Sequence, residues 1–528
     1  MGFLRAAFCA ALLLLGLGIA ASAQDVTLTS RDGTVSVTGT LLSYDGELYR
    51  VETEYGPLTL DGFRVTCEGP GCPDLTGLVS ELRISGSRTT GEVLMPALVE
   101  TFAARKFYSA SRRVVDDTHF EYLLREAEQD VAVIRFRVTS TAEGFADLVA
   151  DEADLVLSTR EVTAAEVALG REAGVGDLTV ARRSRIVGLD ALVPVVARLN
   201  PVDAILLEDL ARIFAGEITD WGQLERGEDA EANEDEADPR PITLHMRDGE
   251  SGLAQEFRRR VMQPAGLIVD DRVVLHADNA SLADAVARDT GAIGMAAFSD
   301  TGNAKPLDLL GACGKRARAT VASLKTEDYP LTTPLFVYSP IGRPSPIARE
   351  FMAYVRSASA QPVIARSGFV DLRVGQVPVD GQGERLANAI VGAGAGVDLD
   401  ELKRLVGTLD GTSRLTLSYR FETGGTRLDA QSRSNIELLA TQLEQGRFAG
   451  KTVMFVGFTD GEGAAAGNLR LARRRADTVR QAVLRAAPAA DRDRFEVVVE
   501  AFGEAMPMAC DDSDWGKGIN RRVEVWIR

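Results

Sequence analysis

The stretch Gly457-Phe-Thr-Asp-Gly-Glu-Gly-Ala-Ala-Ala-Gly-Asn-Leu-Arg-Leu-Ala-Arg-Arg-Arg-Ala-Asp-Thr-Val479 carries the clearest structural signal in the chain. Phe455 and Phe458 fit a strand, and Thr459-Asp460 turns it into a helix. Ala472, Ala476, Val479 and Val483 recur at helical spacing and supply a buried stripe. Asn468, Leu471 and Arg475 share a neighbouring face, which brings Arg475 back towards Asp460. A carboxylate and a guanidinium held side by side make a receptor for a zwitterion. Hydrogen bonds to charged groups contribute about 1.5–3 kcal/mol each, enough for reversible attachment. The competing reading is an N-cap aspartate beside an exposed helix arginine, and Arg473 and Arg474 are read as exposed in that way. Near the end of the sequence stands Asn520-Arg521-Arg522-Val523-Glu524-Val525.

These residues together resemble the peptidoglycan-binding domain of the OmpA-like family, over residues 412–528. The resemblance implies an α+β domain in which Asp460 takes the ammonium and Arg475 the carboxylate of diaminopimelate. It adds Asn468 and Arg521 to the peptidoglycan-binding set. Arg521 and Arg522 both match the pattern, and one of them is expected to support the fold.

The other end of the sequence agrees with export. Residues 1–23 hold one charge (Arg5), an apolar run from Ala6 to Ala21, and Ala-Ser-Ala before Gln24. This reads as a signal peptide. Cys9 lies inside the apolar run rather than at the cleavage point, which argues against a lipid anchor. No later stretch reaches the roughly 18 apolar residues of a membrane helix, so no transmembrane segment is expected after signal cleavage. The expected location is the periplasm of a Gram-negative cell, associated with peptidoglycan.

With 528 residues the chain is too long for one core, and three domains are expected. Its 77 acidic against 59 basic residues give a net charge of −18, which argues against nucleic acid and anionic lipid as partners. Four cysteines follow the leader. Cys67 and Cys72 flank Glu-Gly-Pro-Gly, a tight turn, and are expected to form a disulfide. Cys313 and Cys510 are either free or paired across domains. Three histidines at no metal-ligand spacing, and no nucleophile or P-loop motif, imply no metal, no cofactor, no catalytic residues and no enzyme activity.

Residues 24–78 alternate short apolar runs with turn dipeptides such as Asp32-Gly33 and Asp61-Gly62, which predicts a small all-β module. From residue 79 to 373 short strands alternate with helices, which predicts βα units and a largely parallel sheet. Glu225 to Asp238 reads as a solvated acidic insertion. Residues 374–411, rich in Gly, Gln and Ala at their start, read as a linker with a short helix from Leu399 to Leu409.

Three turns in the central region combine hydroxyls with small residues: Ser85-Gly86-Ser87-Arg88-Thr89-Thr90, Ser158-Thr159-Arg160, and Arg247-Asp248-Gly249-Glu250-Ser251-Gly252. Each is expected to open a helix, where free N–H groups favour an anion. A single such turn is an ordinary N-cap; three in one domain suggest a cage of donors. Arg247 would add a bidentate, charge-assisted grip.

The third turn, with Leu206-to-Trp221 and Gly291-to-Ser299 as supporting stretches, resembles the periplasmic phosphate-binding proteins of ABC uptake systems. The resemblance implies a two-lobed α/β periplasmic-binding-protein fold (type 2), a hinge, phosphate or a related tetrahedral oxyanion as ligand, and an ABC permease as a partner. Carried over, the phosphate-binding positions are Ser87, Thr89, Thr90, Ser158, Thr159, Arg160, Arg247, Asp248, Ser251 and Gly252. Two departures stand out. Leu253 replaces a threonine, and Thr159 stands where phosphate binders often place an aspartate that accepts the ligand's proton. Asp248 either supplies that acceptor or orients Arg247. The alternative function is a wall-associated scaffold with a ligand-free binding fold; an extracytoplasmic phosphatase is the weakest reading.

Overall fold

The computed structural model describes residues 25–44, 46–73, 79–180, 182–225, 240–249, 251–342, 344–393, 396–421 and 427–528. The leader, with Cys9, lies outside the described residues, as do the acidic insertion beyond Glu225 and Glu250 of the third turn.

The first unit is a five-stranded antiparallel sheet built from Asp25–Ser30, Ser36–Tyr44, Leu48–Thr53, Gly56–Asp61 and Val65–Glu68. Val26, Leu28, Tyr49 and Val51 form its small core. A disulfide between Cys67 and Cys72 closes the end of its last strand. Arg349 of the central region pairs with Glu47 at 2.6 Å and fastens the module to it.

The central region is built on one eleven-stranded sheet that runs through two lobes. In the first lobe Ser80–Ser87 lies parallel to both Gln129–Thr139 and Leu155–Ser158. In the second, Thr243–Arg247 lies parallel to Ala292–Ala297 and Val274–His276. Two long strands, Ser184–Val196 and Thr332–Tyr338, pair antiparallel and carry the chain between lobes. Eleven consecutive positions of the first of these are buried, as expected for a strand covered on both faces. The sheet is therefore mixed rather than largely parallel. The antiparallel part missed by pattern reading is the meander Ser109–Val114, His119–Glu126 and Gln129–Thr139. Ser109–Val114 is exposed along its whole length, so it lacks the apolar alternation that marks a strand.

The C-terminal unit has a sheet covered on both faces. Alternate residues of Thr452–Phe458 point to opposite sides. Val453 and Phe455 meet the helices Ala430–Glu444 and Ala465–Ala486, while Met454, Val456 and Phe458 face the other way. That second face needs a cover, and the stretch expected as linker provides it. Gln376–Pro378 pairs with the strand Ser413–Arg420 as the sheet's edge, and the helices Gly383–Val391 and Leu399–Leu409 bring Ala389, Leu405 and Leu409 onto the apolar face. Gly- and Gln-rich composition concealed an amphipathic helix. No helix among the described residues is long and apolar enough to cross a membrane.

Candidate functional site

The lobes meet where the crossover strands pass between them. Gly86 makes the approach possible on the first lobe. Its φ is +124°, and a Cβ there would lie 2.2 Å from the Leu157 carbonyl oxygen, so only glycine lets the two strands close up. The next residues turn inward. Ser87 and Thr90 are fully buried, and neither hydroxyl has a hydrogen-bond partner among the described residues. Thr139, which pairs with Ser87 in the sheet, buries a third hydroxyl in the same condition. A buried hydroxyl left without a partner is destabilising, and nearly all such groups in folded proteins are satisfied.

The third turn faces them from the second lobe. Ser251 caps the helix Gly252–Phe257, accepting from Ala254 N at 3.2 Å and donating to Asp248 O at 2.8 Å. Asp248 Oδ1 in turn accepts from Ser251 N at 3.0 Å. A Cβ on Gly252 would sit 3.3 Å from Ser87 Oγ, 3.4 Å from Thr159 Oγ1 and 3.6 Å from Thr89 Oγ1. The three turns thus converge on one spot.

Beside that spot is a small cavity of about 20 Å³. Thr89 and Thr159 line it from the first lobe, Asp190 and Thr333 from the crossover strands, and Gly252 and Glu256 from the second lobe. Asp190 accepts from Ser299 Oγ at 2.8 Å, Ala191 N at 2.8 Å and Ser299 N at 3.0 Å. Burial pushes its carboxyl up to about 6, since these donors carry no charge. Glu256 is also buried and pairs with Arg259 at 2.6 Å.

Several expected residues sit differently. The second turn does not open a helix: the helix begins at Ala164, with Thr163 as N-cap in a capping box with Glu166. Glu166 also holds both arms of the Arg160 guanidinium, at 2.8 and 2.9 Å, so Arg160 is taken up within its own lobe. Ser158 bonds its own turn, donating to Arg160 O at 2.6 Å. Arg247 is buried and bonds Asn279 Oδ1 and Ala277 O, both at 2.8 Å, tying the third turn to the start of the helix Asn279–Arg288.

Sequence reading also missed Asp190, Thr333, Glu256 and Thr139. Asp190 stood out as the single acid in the apolar run Ile186 to Val196, which was a usable signal. Glu256 and Thr139 gave none, because their relevance depends on pairing across the fold.

In the C-terminal unit Asp460 is bonded by Arg521 at 2.7 Å. The expected neighbour, Arg475, lies buried over the ring of Phe421 at 5.2 Å. Burial lowers its pKa, with Arg521 acting in the same sense and Asp460 in the opposite one. Asp460 is therefore flanked by two arginines, with Arg521 the closer because it immediately precedes the strand Arg522–Ile527. Asn468 donates to Glu504 at 2.6 Å. Arg522 is the structural member of its pair, fully buried against Glu524, Met506 O and the Phe458 ring.

Two α/β lobes joined by crossover strands, with a polar cavity at the crossing, define a solute-binding-protein architecture. The chain belongs to the PBP superfamily, whose domain model matches residues 80–359, and it carries an OmpA family domain, matched over residues 420–521. It is similar to Protein SphX of Synechococcus elongatus, 27% identical over 210 residues, 38% of this chain and 58% of that protein. It is also similar to outer membrane porin F of Pseudomonas fluorescens, 30% identical over 114 residues, 22% of this chain and 33% of that protein. The chain thus spans less than two thirds of either relative. Among solved structures, an ABC-type phosphate transport receptor from Vibrio cholerae is 20% identical with a TM-score of 0.41, covering 55% of this chain and 99% of that one.

Proposed function

We propose that this protein is a cell-envelope receptor for phosphate or a closely related tetrahedral oxyanion, tethered non-covalently to peptidoglycan in the periplasm and delivering its ligand to an ABC-type permease. The observation that carries the reading is the convergence of the buried Ser87 hydroxyl, which has no partner among the described residues, with those of Thr89 and Thr159 on the start of the helix at Gly252. Such hydroxyls suit a ligand with several acceptor oxygens. Asp190 supplies the acceptor that Thr159 lacks, so hydrogen phosphate can donate its proton where fully ionised sulfate meets a bare carboxylate. A buried mismatch of that kind separates ligands by about 10⁴-fold. Asp460 with Arg475 and Arg521 forms the wall-peptide site, the carboxylate taking the ammonium and an arginine the carboxylate of diaminopimelate. The protein acts as a binder rather than as an enzyme.

Titration calorimetry of the full chain with phosphate and with sulfate tests the ligand. Heat with phosphate and none with sulfate is expected; no heat with any tetrahedral oxyanion would remove the assignment. For the tether, an Asp460→Ala, Arg475→Ala double variant should fail to co-sediment with purified peptidoglycan.

One observation favours the scaffold reading: Arg160 and Arg247 both spend their guanidinium groups on protein partners. Arg247→Ala separates the two, since a receptor loses affinity through a disordered third turn and a scaffold has none to lose.

A further inference from the structure

The contacts that fasten the C-terminal unit reach both lobes. On the first lobe, Glu161 lies two residues past the cleft residue Thr159. It accepts the backbone N–H of Ala430 at 3.0 Å and lies 3.6 Å from the Arg433 guanidinium. Arg185, at the start of the first crossover strand, pairs with Glu437. On the second lobe, Asp328 meets Arg414 at 2.7 Å and Arg420 at 3.3 Å. Arg420 also donates to the carbonyls of Glu327 at 2.8 Å and Thr326 at 3.1 Å. A disulfide joins Cys313 to Cys510, and Asp512 accepts from Ala312 N at 2.7 Å beside it.

The same C-terminal residues run into the Asp460–Arg521 pair. Asp511, between Cys510 and Asp512, accepts from Gly461 N at 2.7 Å, next to Asp460. Arg420 donates to Ile519 O at 2.6 Å, two residues ahead of Arg521. The anchors on the second lobe and the groups flanking Asp460 are therefore held by common residues.

Lobes that part about a hinge move relative to one another, and one rigid body bonded to both must give way somewhere. We infer that the C-terminal unit is a brace across the two lobes, so that cleft opening and the geometry at Asp460 and Arg521 are coupled. This rests on the receptor reading above for its ligands, but not for the brace itself. The structure has the lobes together and Asp460 held by Arg521. The closed cleft is thus the state in which the wall pair is satisfied internally, and filling the cleft weakens binding of a wall zwitterion.

Calorimetry on the full chain measures the coupling. With phosphate saturating, the affinity for diaminopimelate should fall about fivefold or more, and saturating diaminopimelate should lower phosphate affinity by the same factor, since coupling free energies are reciprocal. Glu161→Ala with Arg185→Ala, which removes the side chains that hold the first lobe to the C-terminal unit, should bring both factors to one. Equal affinities in the parent, or factors unchanged in that variant, would overturn the inference.

A second measurement needs no ligand. Spin labels at Glu172→Cys and Arg288→Cys, one exposed position on each lobe, should give one narrow distance in the parent and a broad distribution in the released variant. An equally broad distribution in both would overturn the brace. Absence of phosphate heat together with a narrow parent distance would sink the ligand assignment and leave the brace standing.

Discussion

Asp190 in the cleft and Asp328 at the joint between the second lobe and the C-terminal unit are both buried aspartates, in opposite electrical settings. Asp190 receives only a hydroxyl and backbone N–H groups, and burial raises it to about 6. At Asp328 burial acts in the same direction, but the charges of Arg414 and Arg420 outweigh it and hold the carboxyl below its usual range. At the joint opposite charges face one another; in the cleft a carboxylate meets only neutral donors, beside hydroxyls that have no partner among the described residues.

The strongest way to break this contrast is at the joint. Asp328→Ala should destabilise the protein by about 3–5 kcal/mol, because it removes the carboxylate that two buried guanidiniums share. Urea unfolding followed by near-ultraviolet circular dichroism measures it, and a change below about 1 kcal/mol would place the joint's charges in effective contact with water.

The cleft responds to pH instead. Asp190 titrates near 6 in the folded protein and near about 4 unfolded. The folded state therefore binds the proton more tightly, and this contribution to stability is fully present below about pH 4. It is lost as pH rises through about 6, a span worth about 3 kcal/mol. Asp190→Asn should flatten that part of the profile of urea midpoint against pH, and should also erase the preference for phosphate over sulfate.

Thr90→Val sharpens the comparison at a neutral group. Removing a partnerless hydroxyl should leave the urea midpoint unchanged or raise it, yet lower phosphate affinity about 10- to 100-fold. The smallest effect is expected at Arg160→Ala. Because Glu166 already holds that guanidinium, phosphate affinity measured by calorimetry should change by less than about fivefold.

What the sequence made legible follows from how local each signal is. The buried stripe Ala472, Ala476, Val479 and Val483 lies within one helix, and all four residues are fully buried. The three hydroxyl-bearing turns were visible because each sits within a few residues. Their convergence was not, since it depends on how the two lobes pack. The bonded partner of Asp460 was hidden for the same reason: helix spacing brings Arg475 towards Asp460, and a strand distant in sequence delivers Arg521 as the residue that bonds it. Composition misled most at Gly375 to Gly396. Pro378 is tolerated there because its strand pairs on one side only, as the sheet's edge.

The bond between Cys313 and Cys510 closes a loop that contains the rest of the first lobe's chain and most of the C-terminal unit. A protease cutting anywhere inside that loop leaves two fragments covalently joined. On a denaturing gel such a nicked protein runs as one band, and separates into two only after a thiol reductant is added. A chain clipped once inside that loop would therefore keep its OmpA family domain attached.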